Sequence, residues 1–361
     1  MIMKRLAIVN IGRTRNAFTL IELLISLAVT ALIILMVAQL MTNTTAVART
    51  GNKHIDTDTQ ARAILDRMAM DFGRMLKRTD VDYYIKAFAG YRNPKAHGKG
   101  LKLKSGELGN DSMAFFSQVP GFYPAGSQSP LSLVAYRINS NPNSAAYLRL
   151  ERMGKGLLWN GVNNGTSATS PYPIVFATGQ IVASCTNKCP CTGTTGPWAG
   201  PWSAAICNDQ DDPDGSYETV GPGVFRMEYY YLLKDGSISD CPQINCKTNW
   251  QTSLTLSANL NAFSDVEAIA VVIAVIDPAS RSLVFPGALF NLMSDMADFK
   301  NANGNGNQAH IVGDVENNWN LAVQSAASTG KTADGSAFPP AAASAVRIYS
   351  RYIDVRTPAL F

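Results

Sequence analysis

Histidine is scarce, with three in 361 residues, and charged residues make up only 16% of the chain. With 46% apolar residues, so little charge excludes a chain kept disordered by self-repulsion. Neither G-x-S-x-G nor H-E-x-x-H occurs, so no serine-hydrolase elbow or zinc-protease helix is signalled. Proline is absent before Pro94, which leaves the first ninety-odd residues free to form long helix. No acid occurs among residues 1–17, although Lys4, Arg5, Arg13 and Arg15 all fall there. Those four account for the whole net charge of +4, leaving 27 basic residues against 27 acidic ones. An isoelectric point near 8.7 would otherwise suggest phosphate binding. Here the excess belongs to one terminus, and no nucleic-acid partner is expected.

The apolar content is concentrated next to that basic terminus. Residues 18–41 read FTLIELLISLAVTALIILMVAQLM, with Glu22 as the one ionisable group. As a helix rising 1.5 Å per residue, this run is long enough for a hydrocarbon core of about 30 Å. The basic flank predicts a cytoplasmic N-terminus and an exported remainder. A carboxylate inside such a span costs roughly 2.5–3.5 kcal/mol on insertion scales, which marks Glu22 as functional. The competing reading is the A-x-A-like site Ala46-Val47-Ala48, where an ordinary signal peptidase would leave a mature start at Arg49. Against it stands a run well beyond the 7–15 residues of a signal core.

Residues 13–26, RTRNAFTLIELLIS, resemble the N-terminal motif of type IV prepilins and type II secretion pseudopilins. That family pattern is a basic leader, a small residue, then Phe-Thr-Leu-hydrophobic-Glu opening an apolar helix. The resemblance implies cleavage between Ala17 and Phe18 by a prepilin peptidase and N-methylation of Phe18 by the same peptidase/methyltransferase. It further implies assembly with other pilin-like subunits through the N-terminal helix, with Glu22 compensating a Phe amine during packing. The family usually has Gly before the cut, where this chain has the equally small Ala17. Residues 60–71, 133–137, 148–152 and 225–231 are similar to J- or W-type minor subunits, and more so to the protein C type of Verru_Chthon cassettes.

Farther along, Ala61, Ile64, Leu65, Met68, Phe72, Met75 and Leu76 recur at helical spacing, with Arg62, Asp66, Arg67, Arg74 and Lys77 opposite. This predicts an amphipathic helix packed on its own domain. Residues 42–45 and Gly51 mark a weak point in the stem. Beyond residue 80 come short apolar runs punctuated by Gly, Pro, Asn and Ser. Strands are predicted over 113–119, 131–138, 145–151, 174–178, 224–233, 266–276 and 346–355. Of these, 224–233 partly alternates, as for a sheet with one wet face, and 266–276 reads as a central buried strand. Helices are predicted over 287–299 and 314–326. The expected fold is α+β and pilin-like: a leader (1–17), a membrane helix (18–41), an exported stem half (42–80), and an exported domain (81–361). The long N-terminal helix is expected to pack on the antiparallel sheet of that domain, which carries irregular insertions.

Cys185, Cys189, Cys191, Cys207, Cys241 and Cys246 all fall within 185–246. Six cysteines in an oxidising compartment favour disulfides, with fifteen pairings open. A zinc site lacks the usual paired C-x₂-C spacing and a nearby histidine. The acidic run Asn208–Gly215 fails EF-hand spacing, with Pro213 and Val220 at ligand positions, and reads as a solvated turn. Gly330-Lys331-Thr332 lacks the first P-loop glycine, since position 325 is Ser325. His54, His97 and His310 read as exposed side chains. Tyr83, Tyr84, Tyr91 and Arg92 beside Lys95, Lys99, Lys102 and Lys104 read as a solvated basic connector. No cofactor, metal or catalytic residue is expected. The leading expectation is a non-catalytic minor pilin-like subunit in the inner membrane; the alternative is a tethered module capturing a secreted substrate or surface polymer.

Overall fold

The structure, a computed structural model, describes residues 19–76, 84–85, 110–111, 113–121, 131–139, 141–156, 217–239, 265–299 and 310–355. Two compact units divide the chain, Met1–Asn52 and Lys53–Phe361. Helix α1 (Leu20–Gly73) contributes to both. It continues through residues 42–45 and Gly51, where a weak point was expected. The hydroxyls of Thr42, Thr44 and Thr45 donate to carbonyls four residues back, at 2.7–2.8 Å, so they satisfy themselves on helical backbone.

In the larger unit, β1 (Tyr84–Ile85), β2 (Met113–Ser117), β3 (Ser132–Ile138), β4 (Leu150–Gly156) and β5 (Tyr217–Gly221) form one antiparallel sheet in chain order. A second sheet has the order β7-β6-β8-β9, from β6 (Val224–Leu233), β7 (Ile238–Ser239), β8 (Val266–Val275) and β9 (Arg347–Asp354). Asn110 and Asp111 tie the sheets together. Just before β2, they pair with the stretch of β6 that β7 does not reach. Asp111 N donates to the Met227 carbonyl at 3.1 Å, Asn110 Oδ1 accepts from Met227 N at 2.7 Å, and Asp111 Oδ2 accepts from Tyr229 N at 3.0 Å.

The expected apolar stripe of α1 meets this core. Ala61, Ile64, Leu65, Met68, Phe72 and Met75 are all buried, and Phe72 stacks on Phe115 at 4.9 Å between centroids. Each large apolar side chain so buried contributes about 1.5–3 kcal/mol, which fixes the helix on its sheet. Close packing on α1 requires glycine at 223, where a Cβ would stand 2.4 Å from Gln60 Oε1 of α1 and 2.6 Å from the Ile276 carbonyl. Residues Ile269–Ile276 are wholly buried, with β8 flanked by β6 and β9, as a central strand should be.

Helices α2 (Pro278–Arg281), α3 (Pro286–Asp295), α4 (Asp314–Thr329) and α5 (Pro340–Ala343) complete the described elements. They explain one correction. Strand β6 has no wet face: Arg226 and Glu228 are buried, Arg226 reaching the Met296 carbonyl at 3.2 Å and Asp298, and Glu228 accepting from Phe299 N at 3.2 Å. Alternation there reflects buried ion pairing rather than solvent. The strand expected over 145–151 is corrected too. Residues 142–149 form turns, and β4 begins at Leu150. Local side-chain bonds win: Asn139 Oδ1 accepts from Asn141 N, Asn141 Oδ1 from Asn143 N, and Ser144 Oγ from Ala146 N. Strand β5 was not anticipated, and the strand expected over 174–178 lies outside the described residues.

Candidate functional site

Glu22 lies in the first turn of α1, and its partner is Thr19. Glu22 Oε2 accepts from Thr19 N at 3.0 Å and from Thr19 Oγ1 at 2.9 Å, while Thr19 Oγ1 accepts from Glu22 N at 3.3 Å. This reciprocal arrangement is a capping box, in which Thr19 is the N-cap and Glu22 the third helical residue. The first intrahelical bond follows, from Leu23 N to the Thr19 carbonyl at 3.3 Å. A negative side chain here also complements the partial positive charge at a helix N-terminus. Thr19 is the site residue that sequence reasoning passed over. Its signal was present as T-x-x-E directly before an apolar run.

The helix that this box opens has an unusual surface. From Leu20 to Thr45 every side chain is exposed, including Leu20, Ile21, Leu24, Ile34, Leu35 and Leu40. This stretch has 26 residues, about 39 Å of helix, and is long and apolar enough to cross a membrane. Its hydroxyls turn inward onto the backbone: Ser26 Oγ donates to the Leu23 carbonyl at 2.9 Å and Thr30 Oγ1 to the Ser26 carbonyl at 2.7 Å. Hydroxyls satisfied in this way do not need water, which suits a hydrocarbon or helix-lined surrounding.

Within the larger unit, α1 ends in a buried electrostatic clamp. Asp71, fully buried, accepts from Arg152 Nε at 2.7 Å, from Arg152 Nη2 at 3.1 Å, and from the Tyr136 hydroxyl. Burial, reinforced by the Asp71 charge, pushes the Tyr136 phenol well above its ordinary range. Next to it on β3 and β4, Arg137 Nε meets Glu151 Oε2 at 3.0 Å and Asn139 Nδ2 donates to Glu151 Oε1 at 3.0 Å. Segments 60–71, 133–137 and 148–152, distant in sequence, therefore meet at Asp71, through Tyr136 and Arg152. Along β9, Tyr349 donates to Asp58, Arg351 pairs with Asp66, and Arg347 Nη2 sits 3.0 Å from His54 Nε2.

His54 and His310 are half-buried, in correction of the exposed reading; His310 stacks on Phe299 at 4.1 Å. Gly330, at φ +68°, ends α4 with its N–H on the Ala326 carbonyl, so Gly330-Lys331-Thr332 follows a helix instead of opening one. Among the described residues no group of three or more His, Cys, Asp or Glu could hold a metal. Lys4, Arg5, Arg13, Arg15, Ala17 and Phe18 lie outside the described residues, as do His97, the acidic run, and Cys185, Cys189, Cys191, Cys207, Cys241 and Cys246.

Residues 12–38 match the model of the prokaryotic N-terminal methylation motif. The match takes in Ala17, Phe18, Thr19, Glu22 and the apolar helix as far as Ala38. No curated protein matches the chain. With that motif on an exposed apolar helix, and antiparallel sheets in the larger unit, the chain is type IV pilin-like: a membrane-anchored subunit of the kind processed by a prepilin peptidase.

Proposed function

We propose that this is a non-catalytic minor pilin- or pseudopilin-like subunit, which enters a type IV pilus-like or type II secretion-like filament through its apolar helix. The observation that carries the reading is the Thr19–Glu22 box opening a stretch of 26 residues with no burial inside the chain. In the inner membrane, lipid covers that stretch. In a filament, neighbouring subunits' helices replace lipid, with close packing as the driving force. Cleavage falls between Ala17 and Phe18, and Phe18 carries the methylated amine. Glu22 serves assembly as the nearest acid to that amine. The basic leader stays cytoplasmic, and the larger unit is exported, where the six cysteines form disulfides.

Intact mass and N-terminal sequencing of the membrane-extracted protein test the processing. A methylated Phe18 start is expected, and a mature start at Arg49 overturns the proposal. Assembly is tested by Glu22→Ala. The variant should stay membrane-anchored and be absent from sheared or cross-linked filament fractions. Undiminished incorporation would exclude the assembly role of Glu22.

A further inference from the structure

Two arginines of the larger unit stand together without an acid between them. Arg281, at the end of α2, donates from Nη2 to the carbonyls of Tyr147 and Leu148, both at 3.0 Å. The second of those carbonyls belongs to the peptide that joins Leu148 to Arg149, so the Arg281 guanidinium sits against the backbone of a second arginine. Both side chains are half-buried. Arg149 Nε and Arg281 Nη1 are shielded from solvent, and neither has a hydrogen-bond partner among the described residues. No carboxylate there lies within ion-pair distance of either. Asp277, one turn before Arg281, is engaged elsewhere, its Oδ1 accepting from Ser280 N at 3.0 Å.

Among the described residues, the other buried arginines of this unit are neutralised. Arg152 has Asp71, Arg137 has Glu151, and Arg226 has Asp298 and Glu228. Against that pattern, burial and the neighbouring Arg149 charge press the Arg281 guanidinium down to about 10. The backbone also concedes something to this geometry. Leu148, fully buried, holds φ +54°, the one non-glycine residue with positive φ among those described, and so presents its carbonyl to Arg281. For a branched side chain this conformation costs on the order of 1–3 kcal/mol, and such strain gathers at ligand clamps.

We propose that Arg149 and Arg281 form an oxyanion-binding site, taking a carboxylate or phosphate group presented from outside the described fold. A planar, forked acceptor matches two guanidinium groups that each retain a shielded, unused N–H donor. Backbone carbonyls hold Arg281 in place, and among the described residues no side-chain hydrogen bond ties Arg149. The site stands whether or not the N-terminal helix is processed as proposed above.

Calorimetric titration and thermal melts of the detergent-solubilised full chain test it, with inorganic phosphate or acetate compared against chloride at equal ionic strength. Saturable one-to-one binding is expected, with a melting point raised by a few degrees at saturation. Arg149→Gln should weaken that binding at least tenfold, yet melt no lower than the parent in chloride, because it removes a like charge. Saturation by both anions assigns a carboxylate-type ligand, and saturation by phosphate alone a phosphate group. Equal responses to phosphate, acetate and chloride overturn the site, as does Arg149→Gln that binds like the parent. An Arg149→Gln variant that melts well below the parent in chloride shows a structural arginine instead, and also overturns it.

Discussion

Two stretches of α1 solve the same problem in opposite ways. Between Leu20 and Thr45, apolar side chains cover the helix all round and none is buried. Between Ala61 and Phe72, one stripe (Ala61, Ile64, Leu65, Met68 and Phe72) is buried, while Arg62, Asp66 and Met70 stay exposed. A stripe tells the helix which side its own domain occupies. A uniformly apolar surface names no side and needs a surrounding that is apolar everywhere, either lipid or a ring of other helices. Composition separates the two, with one ionisable residue in the first stretch and four in the second. Angular distribution says what each surface is for.

The largest effect expected from breaking this contrast lies at the buried end. Asp71→Ala strips Arg152 and Tyr136 of their common acceptor and leaves a buried guanidinium uncompensated. Loss of a buried partner costs about 3–5 kcal/mol. Urea unfolding of the solubilised full chain should show the larger unit destabilised by that amount, with membrane anchoring intact. The complementary change is Ile34→Asp, which costs roughly 2.5–3.5 kcal/mol at the centre of a membrane helix. Carbonate extraction should release more protein, while the urea midpoint of the larger unit stays where it was. If both variants moved both readouts, the division of α1 into two regimes would fail.

A middle-sized effect comes from Gly223→Ala, whose Cβ must displace Gln60 or the Ile276 strand backbone. Overpacking of this kind costs about 1–3 kcal/mol, measurable in the same unfolding experiment. Next is Tyr349, which joins β9 to Asp58 of α1. Burial, with the Asp58 hydrogen bond, pushes its phenol up to about 12 from 10.0. The folded state therefore holds this proton more tightly than the unfolded chain does. The resulting stability is fully present below pH 10 and is lost as pH rises toward 12. Tyr349→Phe should lower stability at neutral pH by about 0.5–1.5 kcal/mol. It should also flatten the alkaline fall in a pH series. The smallest effect belongs to Phe285→Ser. Phe285 is 84% exposed just before α3, and its replacement should shift stability by under about 0.5 kcal/mol.

Periodicity made much of this legible in the sequence. The stripe from Ala61 to Met75 follows from helical spacing and β8 from a nearly unbroken apolar run, and the helices near 287 and 314 were legible as well. The motif at 13–26 pointed to the N-terminal site. What escaped depended on partners. The alternation of β6 looked like a wet face because Arg226 and Glu228 are polar, and nothing local says that Asp298 and Phe299 cover them. The turn at 142–149 escaped because Asn141, Asn143 and Ser144 compete for the backbone within a run that otherwise reads as strand. Arg149 and Arg281 lie 132 positions apart, and only folding puts them side by side.

The capping box has a consequence for the economy of processing. Thr19 and Glu22 both lie downstream of the Ala17–Phe18 junction, and the first helical hydrogen bond reaches back only to the Thr19 carbonyl. In the processing proposed above, the capping box and this bond both travel with the shortened chain. The proposed cleavage would thus leave in place the side-chain pair that caps the helix, on the very end offered to the next neighbour.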